Sequence, residues 1–399
     1  MSSAIIVGAG PAGLTAARTL RAGGIADVMV LERSAEPGGL PRSCGHPGWG
    51  MIDLHRLCTG PGYANRLVKA AAGANIVTGA SVLRLLPEGG VEVALLDRGV
   101  ETLRADMVLL ATGIRETPRS ARLVSGTRPA GVTTTGAFQD MVFRGGMRPF
   151  KRPIIVGSEL VAFSALLTAR HADISPVAMI EPSARIVARR PGDLVAKWAF
   201  GVPVLKRARL KEILGLDTVE AVVVERDGRN ETIACDGVIF TGKFVPDATL
   251  VRASHLAFDR ATGGPAIDTA WRCSDPRFFA AGNVLRPVEH SGMAASEGLW
   301  AAGAMLRAAT GGLREPQSAI PVEAAAPFTY VYPQRIYPRN GRATLRTRVG
   351  EAVSGTLVVR SDARVLASSR LRALPERRVS VIVPTDTLDG SGGVRLTIE

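Results

Sequence analysis

Three glycines near the start of the chain have the spacing needed to hold a diphosphate. Gly8, Gly10 and Gly13 stand in "IIVGAGPAGL", residues 5–14, as G-x-G-x-x-G between a β-branched run and an alanine-rich run. Lacking side chains, they permit a tight turn, close approach of a diphosphate to the backbone and packing of helix on strand. The helix that starts at Pro11 and Ala12 supplies free N–H groups to the same cradle. The next apolar run, "VMVLE", ends at Glu32, which lies 32 − 13 = 19 residues past the last glycine and is followed by Arg33. That is the spacing of a carboxylate that binds ribose hydroxyls.

A second stretch, "IIVGSELVAF" at 154–163, begins with the same four residues, and Glu181 follows Ala162 by 181 − 162 = 19 residues. Here Glu159 takes the place of the second glycine and Ala162 that of the third. A methyl at Ala162 loosens helix packing slightly, whereas Glu159 brings a negative charge to where a diphosphate must touch the backbone. Two such charges ~4 Å apart repel by about 4 kcal/mol at an effective dielectric of ~20, nearly a thousandfold in affinity. The second unit is therefore expected to keep its fold and to hold NAD(P)H weakly or not at all. The opposing arrangement has Glu159 swung into solvent and neutralised by a nearby arginine, such as Arg170.

Two further strands end in glycine and belong with the first cradle. "DMVLLATGIRETPR" breaks at Ala111, Thr112 and Gly113, and "DPRFFAAGNVLRP" breaks at Gly282 and Asn283. A buried parallel strand that stops at glycine lets the chain pass close to a bound ligand.

With these segments in place, the sequence resembles the pyridine nucleotide-disulfide oxidoreductase superfamily of FAD enzymes. Residues 38–66, "GGLPRSCGHPGWGMIDLHRLCTGPGYANR", narrow the likeness. They look like the flavoproteins associated with anaerobic glycerol-3-phosphate dehydrogenase and the FAD subunits of opine and hydroxyproline dehydrogenases and of hydrogen cyanide synthase. The resemblance implies FAD as cofactor, with Gly282 and Asn283 at its ribityl chain and pyrophosphate. Asparagine stands here where the family usually has aspartate. The disulfide reductases of the superfamily place a cysteine pair after the Gly-Gly, but this chain has Cys44 alone, so dithiol relay is not expected and Cys44 reads as a packed thiol. The likeness puts His46 near the flavin ring as a proton-exchanging candidate. His290, just before the helical run "GMAASEGLWAAGAM", is the second catalytic candidate, at a helix N-terminus aimed at the flavin's pyrimidine edge.

The fold these motifs demand is α/β, with two Rossmann-like domains, the second inserted in the first, and a small C-terminal antiparallel β module. The FAD domain is expected at 1–125 and 246–320, the inserted degenerate NAD(P)-binding-like domain at 150–245, and the β module at 327–399. "GTRPAGVTTTGAFQ" reads as the linker of one crossing, rich in Gly, Pro and Thr with no helical period. The short alternating runs after residue 327 are separated by Gly, Asp and Pro turns.

The expected function is that of an FAD-dependent oxidoreductase, a flavin subunit of a heteromeric dehydrogenase that acts on a small amine, hydroxy acid or polyol phosphate. The alternatives are an NAD(P)H-dependent flavin reductase and a non-catalytic flavin-binding partner subunit. The net charge of +13 is dispersed rather than clustered and aromatic residues are 5% of the chain, which speaks against nucleic-acid partners. The four cysteines have no metal-ligand spacing. An N-terminus that enters a strand at once, with no apolar run near ~20 residues, leads to the expectation of a cytoplasmic protein with no transmembrane segment.

Overall fold

In the computed structural model, which describes residues 2–399 except 190, 376, 389 and 391, two five-stranded parallel sheets repeat one plan. In the first, Ser3–Val7 lies at the centre between Asp27–Glu32 and Met107–Leu110, with Asn75–Thr78 and Phe278–Ala280 at the edges. These runs are almost wholly apolar because both faces of such a sheet are covered, in the second sheet by helices on one side and by an antiparallel meander on the other. Helix α1, Pro11–Ala22, follows the central strand and has proline in its first turn. In the second sheet Pro153–Val156 is central, between Ala178–Glu181 and Gly237–Phe240, with Val204–Lys206 and Val132–Thr134 outside. Helix α2, Leu160–His171, takes the place of α1. Each sheet also carries a small antiparallel meander, at 80–104 and at 208–234.

The chain leaves and re-enters the first unit side by side, where Ile114–Glu116 pairs antiparallel with Phe244–Pro246. The segment read as a structureless linker differs from expectation. Its threonine run forms the edge strand Val132–Thr134, and a helix follows at Thr135–Phe143, because β-branched residues suit a strand and Phe138 supplies a core anchor. Phe138 is fully buried, its ring 5.3 Å from that of Phe150.

After the first sheet's last strand comes helix α3, Ser291–Ala309, which packs along α1. The contact is backbone-close: a Cβ at Gly298 would overlap the Ala12 carbonyl. From residue 320 the chain builds two β-sheets around their own apolar core, including Phe328, Leu345, Val359 and Leu396. Pairing there is antiparallel except between Ile320–Ala324 and Val394–Ile398, which run parallel. Tyr330 and Tyr332 on Phe328–Tyr332 belong instead to the core of the first unit, so this strand joins the module to the rest.

Phe138→Ala should lower stability by about 3–5 kcal/mol, as for other large-to-small changes in cores. The midpoint of urea unfolding measures it, with Leu216→Ala, at an exposed position, expected within about 0.5 kcal/mol of the parent.

Candidate flavin site and its degenerate twin

The turn after the central strand of the first sheet is built on backbone contact. Gly8 has φ +108°, and a Cβ there would lie 2.5 Å from the Ala111 carbonyl oxygen. A Cβ on Gly13 would overlap the Gly8 carbonyl. Gly10 differs: a methyl there would meet nothing within 4 Å. Gly10 is the N-cap of α1 and gives it no side-chain cap, so the first helix N–H groups have no side-chain partner there, and the side of Gly10 where a Cβ would stand is open. Gly282, at φ +81°, approaches from the other side, where a Cβ would lie 2.8 Å from that of Ala12. Ala111 continues the sheet by donating to Val7 O at 2.9 Å, and Thr112 Oγ1 donates to Asp247 O at 2.7 Å. Gly113, at φ +78°, accepts from Asp247 N–H.

Several candidate side chains are engaged within the protein. Glu32 accepts from Ala9 N–H and Ser34 N–H, both at 2.9 Å, so it braces the glycine turn as well as standing at the strand end. Arg33 is exposed and faces Asp247 at 3.4 Å. Asn283 uses its amide in a closed pair with Glu289, donating to its carbonyl at 3.1 Å and accepting from its N–H at 3.0 Å. His290 is the exposed N-cap residue of α3 and makes no side-chain cap bond.

His46 sits in a polar and aromatic cluster that sequence spacing alone did not reveal. Its Nδ1 meets Pro47 O at 2.9 Å; since a carbonyl only accepts, Nδ1 is the donor in this contact, which leaves Nε2 as the ring's other polar atom. Ring centroids step 6.1 Å from His46 to Trp49 and 6.1 Å from Trp49 to Tyr63. Tyr63 donates to Asp53 Oδ2 at 2.6 Å, and burial first, then Asp53, pushes its phenol pKa upward. Asp53 Oδ1 reaches the first turn of α3, 3.0 Å from where a Cβ on Gly292 would stand. His46 Nε2, Trp49 Nε1 and Asp53 Oδ1 are all buried without a partner among the described residues. Such atoms fit a bound polar group.

Cys44 is buried, its Sγ 3.2 Å from Gln139 Oε1. Burial first, then Glu116, pushes its thiol up to about 12. All four cysteines are free thiols, and no group of residues able to hold a metal ion occurs among the described residues.

The second turn repeats the backbone course of the first. Gly157 has φ +127° and donates to Ile180 O at 2.9 Å, as Gly8 donates to Leu31 O at 2.8 Å. Glu159 caps α2 at φ −71°, ψ 173°, matching Gly10 at −82°, −174°. The Glu159 carboxylate does not swing into solvent. Its Oε2 accepts from Thr241 Oγ1 at 2.7 Å, and it lies 2.5 Å from a Cβ position on Gly157 and against Gly242. It therefore bridges the central turn and the neighbouring strand end, across the crevice a diphosphate would take. Arg170 does not neutralise it. Arg170 is at the opposite end of α2 and stacks on Phe200, 4.8 Å from the ring centroid. The cation whose charge Glu159 supports is Arg122, which donates to Thr241 O at 2.9 Å and Gly242 O at 2.8 Å; burial lowers its pKa, and Glu159 and Glu116 oppose that shift.

Two dinucleotide-type parallel sheets, one with an open diphosphate cradle, define the two-domain flavoprotein class. A family model described as pyridine nucleotide-disulphide oxidoreductase matches residues 2–298, and the chain belongs to that family. It is an FAD-dependent oxidoreductase. The chain is 26% identical over 321 residues to the ferredoxin-NAD(+) reductase component of the biphenyl dioxygenase system of Paraburkholderia xenovorans (strain LB400), covering 73% of this chain and 70% of that protein. It is 27% identical over 310 residues to the alpha subunit of sarcosine oxidase from Rhizobium meliloti (strain 1021), covering 74% of this chain and 28% of the relative. To a subunit of opine oxidase from the same organism it is 33% identical over 166 residues, 39% of this chain and 33% of the relative. In structure it resembles the thioredoxin reductase of T. acidophilum, with a TM-score of 0.65, 22% identity, and coverage of 77% and 99% of the two chains. No helix among the described residues is long and apolar enough to cross a membrane.

Gly10→Ala should fold, since the methyl meets no protein atom, yet bind FAD at least tenfold more weakly in a flavin titration. For Cys44 the raised pKa means stability fully present below the unfolded thiol's value near 9 and lost as pH rises toward 12. Melting temperature should fall over that window, and less so in Cys44→Ala; iodoacetamide at pH 8 should leave Cys44 unmodified in the folded protein.

Proposed function

We propose that this protein is the flavin subunit of a heteromeric dehydrogenase that oxidises a small amine, hydroxy acid or polyol phosphate, with electrons passing between its FAD and a partner oxidoreductase. The observation that carries the reading is the Glu159 carboxylate lodged in the second cradle. It removes the seat through which NAD(P)H would deliver a hydride. The subunit names of the sarcosine and opine oxidase relatives support a partner, and the single Cys44 after Gly38 and Gly39 supports a reading without a dithiol relay.

Bound FAD supplies two-electron, hydride-accepting chemistry. In this reading Gly8, Gly10, Pro11, Ala12 and Gly13 hold its diphosphate, Glu32 and Arg33 flank its ribose, and Ala111–Gly113 with Gly282 line its path. The backbone at Gly282 and Asn283 serves the cofactor, because the Asn283 amide is occupied by Glu289. His46, whose Nε2 is buried without a partner among the described residues, serves as the base that takes the proton a donor loses as its hydride leaves. His290 is exposed at the start of α3 and serves proton exchange with solvent or a partner's surface. The N-terminus of α3 offers a positive potential to charge that develops on a reduced ring.

An NAD(P)H-dependent reductase is the second reading, favoured by the intact Gly157 turn and by Glu181 at its strand end, where it accepts from Ser183 N–H at 2.8 Å. Anaerobic mixing separates the two. The purified yellow protein should be bleached by neither NADH nor NADPH on the timescale of seconds; rapid bleaching would rule out the leading reading. Glu159→Gly should then strengthen NADH binding by about a hundredfold to a thousandfold, the scale of the repulsion removed.

A further inference from the structure

The loop from Gly282 to His290 joins the last strand of the flavin sheet to helix α3, and side chains of the C-terminal β module hold it from beneath. Arg286, within the loop, is fully buried at 0% exposure; it donates to Gly282 O at 2.7 Å and to Glu297 Oε1 on α3 at 2.8 Å. Tyr332 of the module donates to the same Glu297 oxygen at 3.2 Å, and its ring centroid lies 5.0 Å from the Arg286 guanidinium. Arg348 of the module donates to Val288 O at 2.6 Å and to Glu289 Oε1 at 2.9 Å, while Arg378 stands 3.6 Å from the other Glu289 oxygen. Glu289 is the residue whose backbone closes on Asn283. Arg346 of the module stacks over both Trp300 of α3 and Tyr332.

We propose that the C-terminal module is a positioning element for the flavin: through Tyr332 and Arg348 it fixes the 282–290 loop, and with it the Gly282 backbone and the N-terminus of α3. An interface that only glued two units together would be served by apolar side chains, since a buried ion pair adds little net stability. What directed, multiply bonded guanidinium groups add is geometry, because each planar fork accepts few arrangements. Arg286 bonds the carbonyl of the very glycine that approaches α1, so a shift of Tyr332 or Arg348 is transmitted to the cofactor's seat. The inference rests on FAD lying against Gly282, beside the glycine cradle whose use Gly10→Ala tests separately.

The test uses full-length, FAD-loaded protein and three variants, Tyr332→Phe, Arg348→Met and Arg348→Lys, with Leu345→Ala as a control in the module's own core. FAD dissociation constant, visible flavin spectrum and midpoint potential are measured beside melting temperature. Tyr332→Phe and Arg348→Met should weaken FAD binding about tenfold and move the potential, by about 30 mV for each tenfold change in relative affinity for the two redox states. Arg348→Lys, which keeps a charge and donors, should recover much of the potential. Leu345→Ala should lower the melting temperature and leave spectrum and potential in place. An Arg348→Met protein with parental affinity and potential would overturn the proposal, as would a control that shifts the potential equally.

Discussion

The structure depends on backbone touching backbone where a side chain would stand. At Gly13 the helix sits so close to the strand before it that one methyl would overlap the Gly8 carbonyl, and Gly8 in turn leaves no room for a Cβ beside Ala111. These contacts bring the uncapped start of α1 and the ends of three parallel strands to one point. The helix terminus carries roughly half a positive charge there, and its N–H groups lack intrahelical partners. A diphosphate seated there would resolve both conditions at once. In the second unit the same backbone turn is crossed by a side chain: the Glu159 carboxylate makes no cap bond to the α2 N–H groups, is held by Thr241, and has Arg122 behind it. The twin is thus an obstructed version of the first cradle, with a carboxylate lying across the path that a diphosphate would take.

Local patterns were legible in the sequence, and long-range ones were not. Glycine spacing, β-branched runs and the acid nineteen residues on all act within one strand-turn-helix unit, so both Rossmann units and the Glu159 substitution could be read directly. The crossing segment misled because its glycine and proline content suggested a loop. The Val132–Thr134 strand exists only because Gly237–Phe240 is beside it, a hundred residues away. Arg170 was attractive as a partner for Glu159 because it shares a helix, but eleven residues of helix span about 16 Å. Arg122, which arrives from the other strand crossing, had no sequence signal to offer. The same holds for Trp49, Asp53 and Tyr63: their association requires a loop shaped by positive-φ glycines at 48 and 50 to fold onto helices at 60–70 and 291–309.

The basic balance of the chain finds part of its explanation in the joints of the fold. Arg119 donates to the carbonyls of Val124, Ser125 and Thr127, Arg122 to those of Thr117, Thr241 and Gly242, and Arg314 to those of Pro338 and Arg339. With Arg286 on Gly282 and Arg348 on Val288, guanidinium groups recur where strands end and the chain changes direction. Carbonyls at such places have lost their ladder partners, and where they are buried, as at Gly282, leaving them unpaired is costly. A planar group with five donors can satisfy two or three of them in fixed directions, which a lysine ammonium does less specifically. Arginine in this chain is therefore joinery as much as surface charge. That is why a net charge of +13 coexists with basic residues scattered singly, and why the formal charge alone is a poor guide to what the protein binds.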